Sequence, residues 1–131
     1  MDIPKIITKE FLRENPDVIF VFGDNLIRKG KGGAAALRDE PNTYGFITKK
    51  YPNNKDESFY GIWEYKLVFK VEMILLIDLI ISNPDKTFLI TKLEAGLANR
   101  YHIYEKIIKP GLKMLKAYDN VVLLDNYNWI K

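Results

Sequence analysis

The 131-residue chain contains no cysteine, a single histidine and no apolar run long enough and uncharged enough to span a bilayer. Each shortage removes a class of chemistry. Without cysteine there is no disulfide framework, thiolate zinc site, iron–sulfur ligation or cysteine nucleophile. His102 alone cannot build a multi-histidine metal site, and no G-x-S-x-G motif supplies a nucleophilic triad. No metal cluster and no cofactor is therefore expected. Residues 67–81 are the most apolar stretch, but they include Lys70, Glu72 and Asp78 and fall short of the roughly 20 residues a membrane helix needs. The opening Met1-Asp2-Ile3-Pro4-Lys5 lacks the basic-then-apolar order of a signal peptide, so a cytoplasmic chain is expected. Charge of one sign is also scarce: 20 basic residues face 17 acidic ones, and the net +3 is spread along the chain. With no arginine-rich stripe, sequence-specific nucleic-acid binding is not expected.

What remains is a chain with 47% hydrophobic residues, enough for one compact domain over residues 1–131. Val18-Ile19-Phe20-Val21-Phe22, entered from Asn15-Pro16-Asp17 and followed by Gly23, predicts a buried central strand. Thr87-Phe88-Leu89-Ile90-Thr91 and Val121-Val122-Leu123-Leu124 predict two more. Residues 3–8 could add an edge strand, where Pro4 would be tolerated, and residues 44–48 another short one. Residues 33–40 predict a short alanine-rich helix stopped by Pro41. Residues 65–82 predict a long helix with Phe69, Met73, Leu76, Ile77 and Ile80 on one face. Val68, Leu75 and Leu79 form a second strip, covered by the domain itself or used as a homodimer contact. Residues 102–117 predict a last helix with Ile103, Ile107, Leu112 and Leu115 inward, bent or divided by Pro110. Residues 49–57 are polar and predict a surface loop. Strands alternating with helices imply an α/β fold with a mostly parallel central sheet and helices on its faces.

Gly23, Gly30, Gly32 and Gly33 are four of the eight glycines, set in eleven positions where the best strand runs into a helix. Glycines there allow positive φ and close backbone approach, and a helix N-terminus directs unpaired N–H groups outward, a suitable place for a phosphate or diphosphate. The spacing is neither G-x-x-x-x-G-K-[ST] nor G-x-G-x-x-G. Asp24 and Asn25 at the loop entry could bond ribose hydroxyls, or could close the turn themselves. A second loop, Thr91-Lys92-Leu93-Glu94-Ala95-Gly96-Leu97-Ala98-Asn99-Arg100, also follows a strand and precedes a helix. Open α/β sheets bind ligands at such strand ends.

At these two loops the sequence resembles the macrodomain family. Asn25-Leu26, Gly30 and Gly32-Gly33-Ala34-Ala35-Ala36 look like its signature of a strand-ending asparagine, a glycine-rich turn and a small-residue helix. Ile90-Thr91-Lys92-Leu93-Glu94-Ala95-Gly96-Leu97-Ala98 looks like the second macrodomain loop, which wraps the diphosphate of ADP-ribose. The pair is also similar to small uncharacterised phage and bacterial macro-like proteins that read F-V-F-G-x-N-L early and F-x-[VI]-T-x-[LI]-x-x-G-L-A late. The resemblance covers residues 18–115, with its specific part in the two loops.

It implies a three-layer α/β/α domain that binds ADP-ribose or a related nucleotide diphosphate, in the host cytoplasm if phage-encoded. The diphosphate would lie at Gly32, Gly33, Ala95 and Gly96, with Asn25 and Asp24 at the distal ribose. Gly23, Gly30, Lys31, Ala34, Thr91, Glu94, Leu97 and Asn99 would complete the lining. The chain departs from the family in being shorter. Its adenine-reading acid is Asp17, Asp24 or neither. Glu94 beside a diphosphate would be repulsive unless it faces a ribose or base, which points to a relative of ADP-ribose. Catalysis, if present, would be hydrolysis of an ADP-ribosyl linkage, with Asn25 positioning water or substrate and Asp24 or Glu94 as base. The alternatives are a non-catalytic module that sequesters a nucleotide signal, and a structural or protein-interaction domain without a nucleotide.

Several other residues have competing readings. Asn42 and Tyr44 could line the cleft, but a turn into a core strand is the simpler role. Arg28, Lys29 and Lys31 could approach a diphosphate or simply face water. His102 reads as a surface residue, Tyr101 as a packing one, and Phe59, Tyr60 and Trp63 as core or interface.

Overall fold

The computed structural model describes residues 2–93 and 99–124. Four strands, β1 (Val18–Asn25), β2 (Thr43–Lys49), β3 (Thr87–Ile90) and β4 (Val121–Leu123), form one all-parallel sheet in the order β2-β1-β3-β4. The helices are α1 (Lys9–Glu14), α2 (Ile62–Ser82) and α3 (Lys109–Met114). The alternation of β1 explains the layering. Val18, Phe20 and Phe22 turn to one face, where they meet Leu89, Ile7, Leu12 and Ala34. Val21 turns to the other, with Phe46, Phe88 and Ile90 under Tyr65, Met73, Leu76 and Ile80 of α2 and Ile108 and Leu112 near α3. Helical elements thus pack on both faces. Phe20, Phe46, Phe88 and Tyr65 are fully buried, each contributing roughly 1.5–3 kcal/mol of apolar burial.

Two sequence expectations need correction. Residues 3–8 form no strand among the described residues; Thr8 instead caps α1, its hydroxyl accepting the Phe11 N–H at 3.1 Å, and Ile7 packs against the sheet. The alanine-rich stretch is only a 3-10 turn at Gly33–Leu37. The last helix is divided around Pro110, as its sequence predicts. A π turn at Tyr104–Ile108 leads into α3, and a 3-10 turn at Leu115–Ala117 follows. The Lys109 N–H bonds the Tyr104 carbonyl five residues back. Pro110, which has no N–H to continue the ladder, directly follows this π turn.

The long helix starts three residues earlier than its periodicity predicts, at Ile62 after Gly61, and the Glu64 carboxylate accepts the Gly61 N–H at 3.3 Å. Its buried side includes Glu72, which the apolar pattern hides. The reason lies in β2, whose outer edge has no strand neighbour among the described residues. Ile47 turns its backbone outward there, and Glu72 accepts its N–H at 2.7 Å while the Tyr65 hydroxyl donates to its carbonyl at 2.5 Å. Arg28 Nη1 donates to the Gly45 carbonyl at 3.0 Å on the same edge. Side chains thus satisfy backbone groups that would otherwise be left unpaired. Burial pushes the Glu72 carboxyl above its ordinary range, against the opposing pull of the Ile47 N–H and Arg28.

The second strip of α2 divides. Val68 and Leu79 pack partly against the core, whereas Leu75 is half exposed. The helix turns outward with Trp63, Leu67, Val71, Ile74 and Ile81 instead. Among the described residues no helix is long and apolar enough to cross a membrane, and no group of three or more His, Asp or Glu side chains could hold a metal ion.

Candidate functional site

The chain leaves β1 toward β2 on one side, while β3 connects to β4 on the other. The C-terminal ends of β1 and β3 therefore flank a topological switch point, the place where parallel sheets open a crevice. Gly23 is needed there. The loop after β3 passes so close that a methyl group on Gly23 would collide with the Leu93 carbonyl oxygen. Leu93 itself is buried with φ +67°, and its N–H donates to the fully buried Thr91 hydroxyl oxygen at 3.1 Å.

The first loop is closed by its own side chains. Asp24, buried at the end of β1, receives Arg38 in a fork, with Nη2 to Oδ1 at 2.7 Å and Nη1 to Oδ2 at 2.9 Å. The Asn25 N–H donates to Oδ1 at 2.8 Å, and Arg28 lies 3.5 Å from Oδ2. Arg38 also donates to the Gly30 and Lys29 carbonyls and stacks over the Phe22 ring at 5.4 Å. Gly45 faces this carboxylate so closely that a methyl group would strike it. Asn25 Nδ2 donates to the Lys29 carbonyl at 2.7 Å. Asp24 and Asn25 thus take the turn-closing role. Four donors occupy the two oxygens of Asp24, and a general base would have to give up the Arg38 fork.

The remaining predicted residues are dispersed. Gly30 and Gly33 have positive φ, and Gly32 faces open space. Lys31 pairs with Asp39 at the surface. Ala34 is buried in a 3-10 turn of five residues, too short to present the N-terminus of a full helix. Thr91 lies at the end of β3. Asn99 acts as a cap: its Oδ1 accepts the Tyr104 N–H at 2.9 Å and its Nδ2 donates to Glu105. Glu94, Ala95, Gly96 and Leu97 lie outside the described residues. Asn42 serves the turn, its Nδ2 donating to the Leu12, Asn15 and Val18 carbonyls. His102 is exposed.

Sequence reasoning overlooked a different set. Beyond the ends of β3 and β4 lies a cavity of about 300 Å³. Ile90, Thr91, Lys92, Leu123 and Leu124 line it from the strand ends, and Tyr104, Leu112 and three more lysines, Lys109, Lys113 and Lys116, line it from the helical segment. The Lys92 ammonium lies 4.7 Å from the centre of the Tyr104 ring. None of the described lining residues is acidic. The sequence carried the signal: positions 109, 113 and 116 follow the i, i+4, i+7 spacing of one helix face. A pocket with an apolar floor and four ammonium groups suits an anion of multiple charge, because each added lysine raises the local potential for phosphate oxygens.

No curated protein and no solved structure matches the chain. The profile of one family matches residues 3–88, a span that takes in the first loop, β2 and α2 and stops within β3, before the lysine-lined cavity. The chain belongs to that family, DUF7831, a family of unknown function.

Proposed function

We propose that the protein binds a nucleotide diphosphate, ADP-ribose or a relative of it, at the C-terminal edge of its sheet. The observation that carries this reading is the cavity ringed by Lys92, Lys109, Lys113 and Lys116 beside the switch point between β1 and β3. At about 300 Å³ it is at the small end of ligand cavities. It has room for the phosphates and their immediate substituents. The macrodomain resemblance of the two loops supports the same end of the sheet. The reading is one of binding, since Asp24 and Asn25, the described residues that hydrolysis would use, are held by the Arg38 fork and by the turn.

Titration calorimetry with ADP-ribose, ADP and inorganic phosphate tests it. Saturable heat with the diphosphates is expected, together with affinity that falls steeply with added salt. Lys109→Glu/Lys113→Glu, two exposed positions, should weaken binding about tenfold or more, as the loss of two charge-assisted contacts requires. Absence of heat and of thermal shift across these ligands would overturn the proposal.

A further inference from the structure

A second cavity, of about 620 Å³, lies at the opposite end of the sheet from the lysine-lined one, where β1 and β2 begin. Ile19 and Tyr44 line it from the sheet and Leu79 from the last turn of α2, while Leu12, Pro16 and Pro41 come from α1 and the connections that lead into the two strands. The faces of a parallel sheet are ordinarily covered by its own helices. Here Ile19, Tyr44 and Leu79 pack against the core yet stay only partly buried, although β1 is a central strand. The volume falls within the roughly 300–1,000 Å³ of small-molecule sites, and an apolar lining with an aromatic ring and few polar groups is their usual make-up.

We propose that this cavity binds a small amphiphile, an apolar body carrying a single carboxylate, with the carboxylate at Lys86. The wall is held in shape by the protein itself. Asn42 Nδ2 donates to the Leu12, Asn15 and Val18 carbonyls and so ties α1 to the start of both strands. The Thr43 hydroxyl donates to the Glu40 carbonyl at 2.9 Å, and Arg13 forks onto the Glu40 carboxylate at 2.9 and 3.1 Å. The polar groups of the lining are thereby satisfied internally, and Lys86 is the exception. It is partly buried in the lining, and its ammonium has no ion-pair or hydrogen-bond partner among the described residues. Glu14, Asp17, Asp78 and Asp85, each next in sequence to a lining residue, are exposed and form no ion pair with it. None of the described lining residues is acidic. One unmatched positive charge therefore stands against an apolar surface. An ammonium in that setting gains a charge-assisted bond from a carboxylate whose tail is withdrawn from water at the same time. A polyanion fits poorly, because Glu40 already neutralises Arg13 and Lys86 alone opposes the added charge. That separates this cavity from the one ringed by four lysines.

Octanoate and octanol, equal in chain length and different in charge, are the probes. Calorimetry and heteronuclear NMR on the full chain should show saturable octanoate binding, with amide shifts at Ile19, Tyr44 and Leu79. Lys86→Met keeps an apolar stem of similar length and removes the charge. It should weaken octanoate about tenfold, as the loss of one charge-assisted bond requires, and leave octanol within about twofold of wild type, which also shows that the cavity is intact. Absence of saturable octanoate binding, shifts confined to residues 109–116, or a Lys86→Met variant that binds octanoate like wild type or loses both probes equally would each overturn the proposal.

Discussion

Asp24 and Glu72 are both buried carboxylates, and their surroundings give them opposite characters. Asp24 has a cation on each oxygen, so Arg38→Ala leaves a buried charge without its main partner, and Arg38 is itself only 16% exposed. The expected loss is about 3–5 kcal/mol in urea unfolding, the range for removing one partner of a buried pair. Arg38→Lys should lose less, since it keeps the charge but not the fork. A loss under about 1 kcal/mol for Arg38→Ala would mean the pair is not what holds the loop. Glu72 has no such partner, and desolvation holds its carboxyl above the usual 4.5. The folded state therefore binds its proton more tightly than the unfolded state does. Its contribution is fully present below about pH 4.5 and is lost as pH rises through the raised value. Gln can still accept the Ile47 N–H but cannot ionise. Glu72→Gln should therefore gain stability over wild type as pH rises from 4.5 toward neutral, measured by urea midpoints across pH. Parallel pH profiles for the two proteins would refute this account.

At the scale of elements, the strands were legible because a buried parallel strand reads as an unbroken β-branched and aromatic run. The start of β1, β3 and β4 all appear where those runs lie. The extension of β1 through Gly23-Asp24-Asn25 was not legible, since its cause is pairing with β2 up to Lys49. Nor was α1, whose six residues are stabilised by Leu12 docking on the sheet rather than by propensity. Loop contact gives a sharp comparison. Gly23→Ala would drive a methyl group into the Leu93 backbone, which cannot step aside as a flexible side chain can. It should lose about 1–3 kcal/mol and shift both loops. Gly32→Ala, with nothing near it, should stay within about 0.5 kcal/mol of wild type. Thermal melts of the two variants check the contrast, and equal losses would refute it.

Across the whole molecule, the fold class follows from local patterns alone. Unbroken apolar runs alternate with helical stretches, and that alternation leaves a parallel α/β sheet as the outcome. The sequence also placed the glycine loop at the C-terminal end of β1, because the glycines follow the strand directly. The use of the polar residues depends instead on tertiary contacts. Asp24, Asn25 and Asn99 satisfy neighbours that the sequence does not name, Arg38, the Lys29 carbonyl and Glu105. The lysines of α3 and Lys92 converge only because β3 and β4 are adjacent in the sheet. Local patterns record burial, which each residue carries in its own chemistry. Hydrogen-bond partnership and charge convergence depend on which distant segments are brought together.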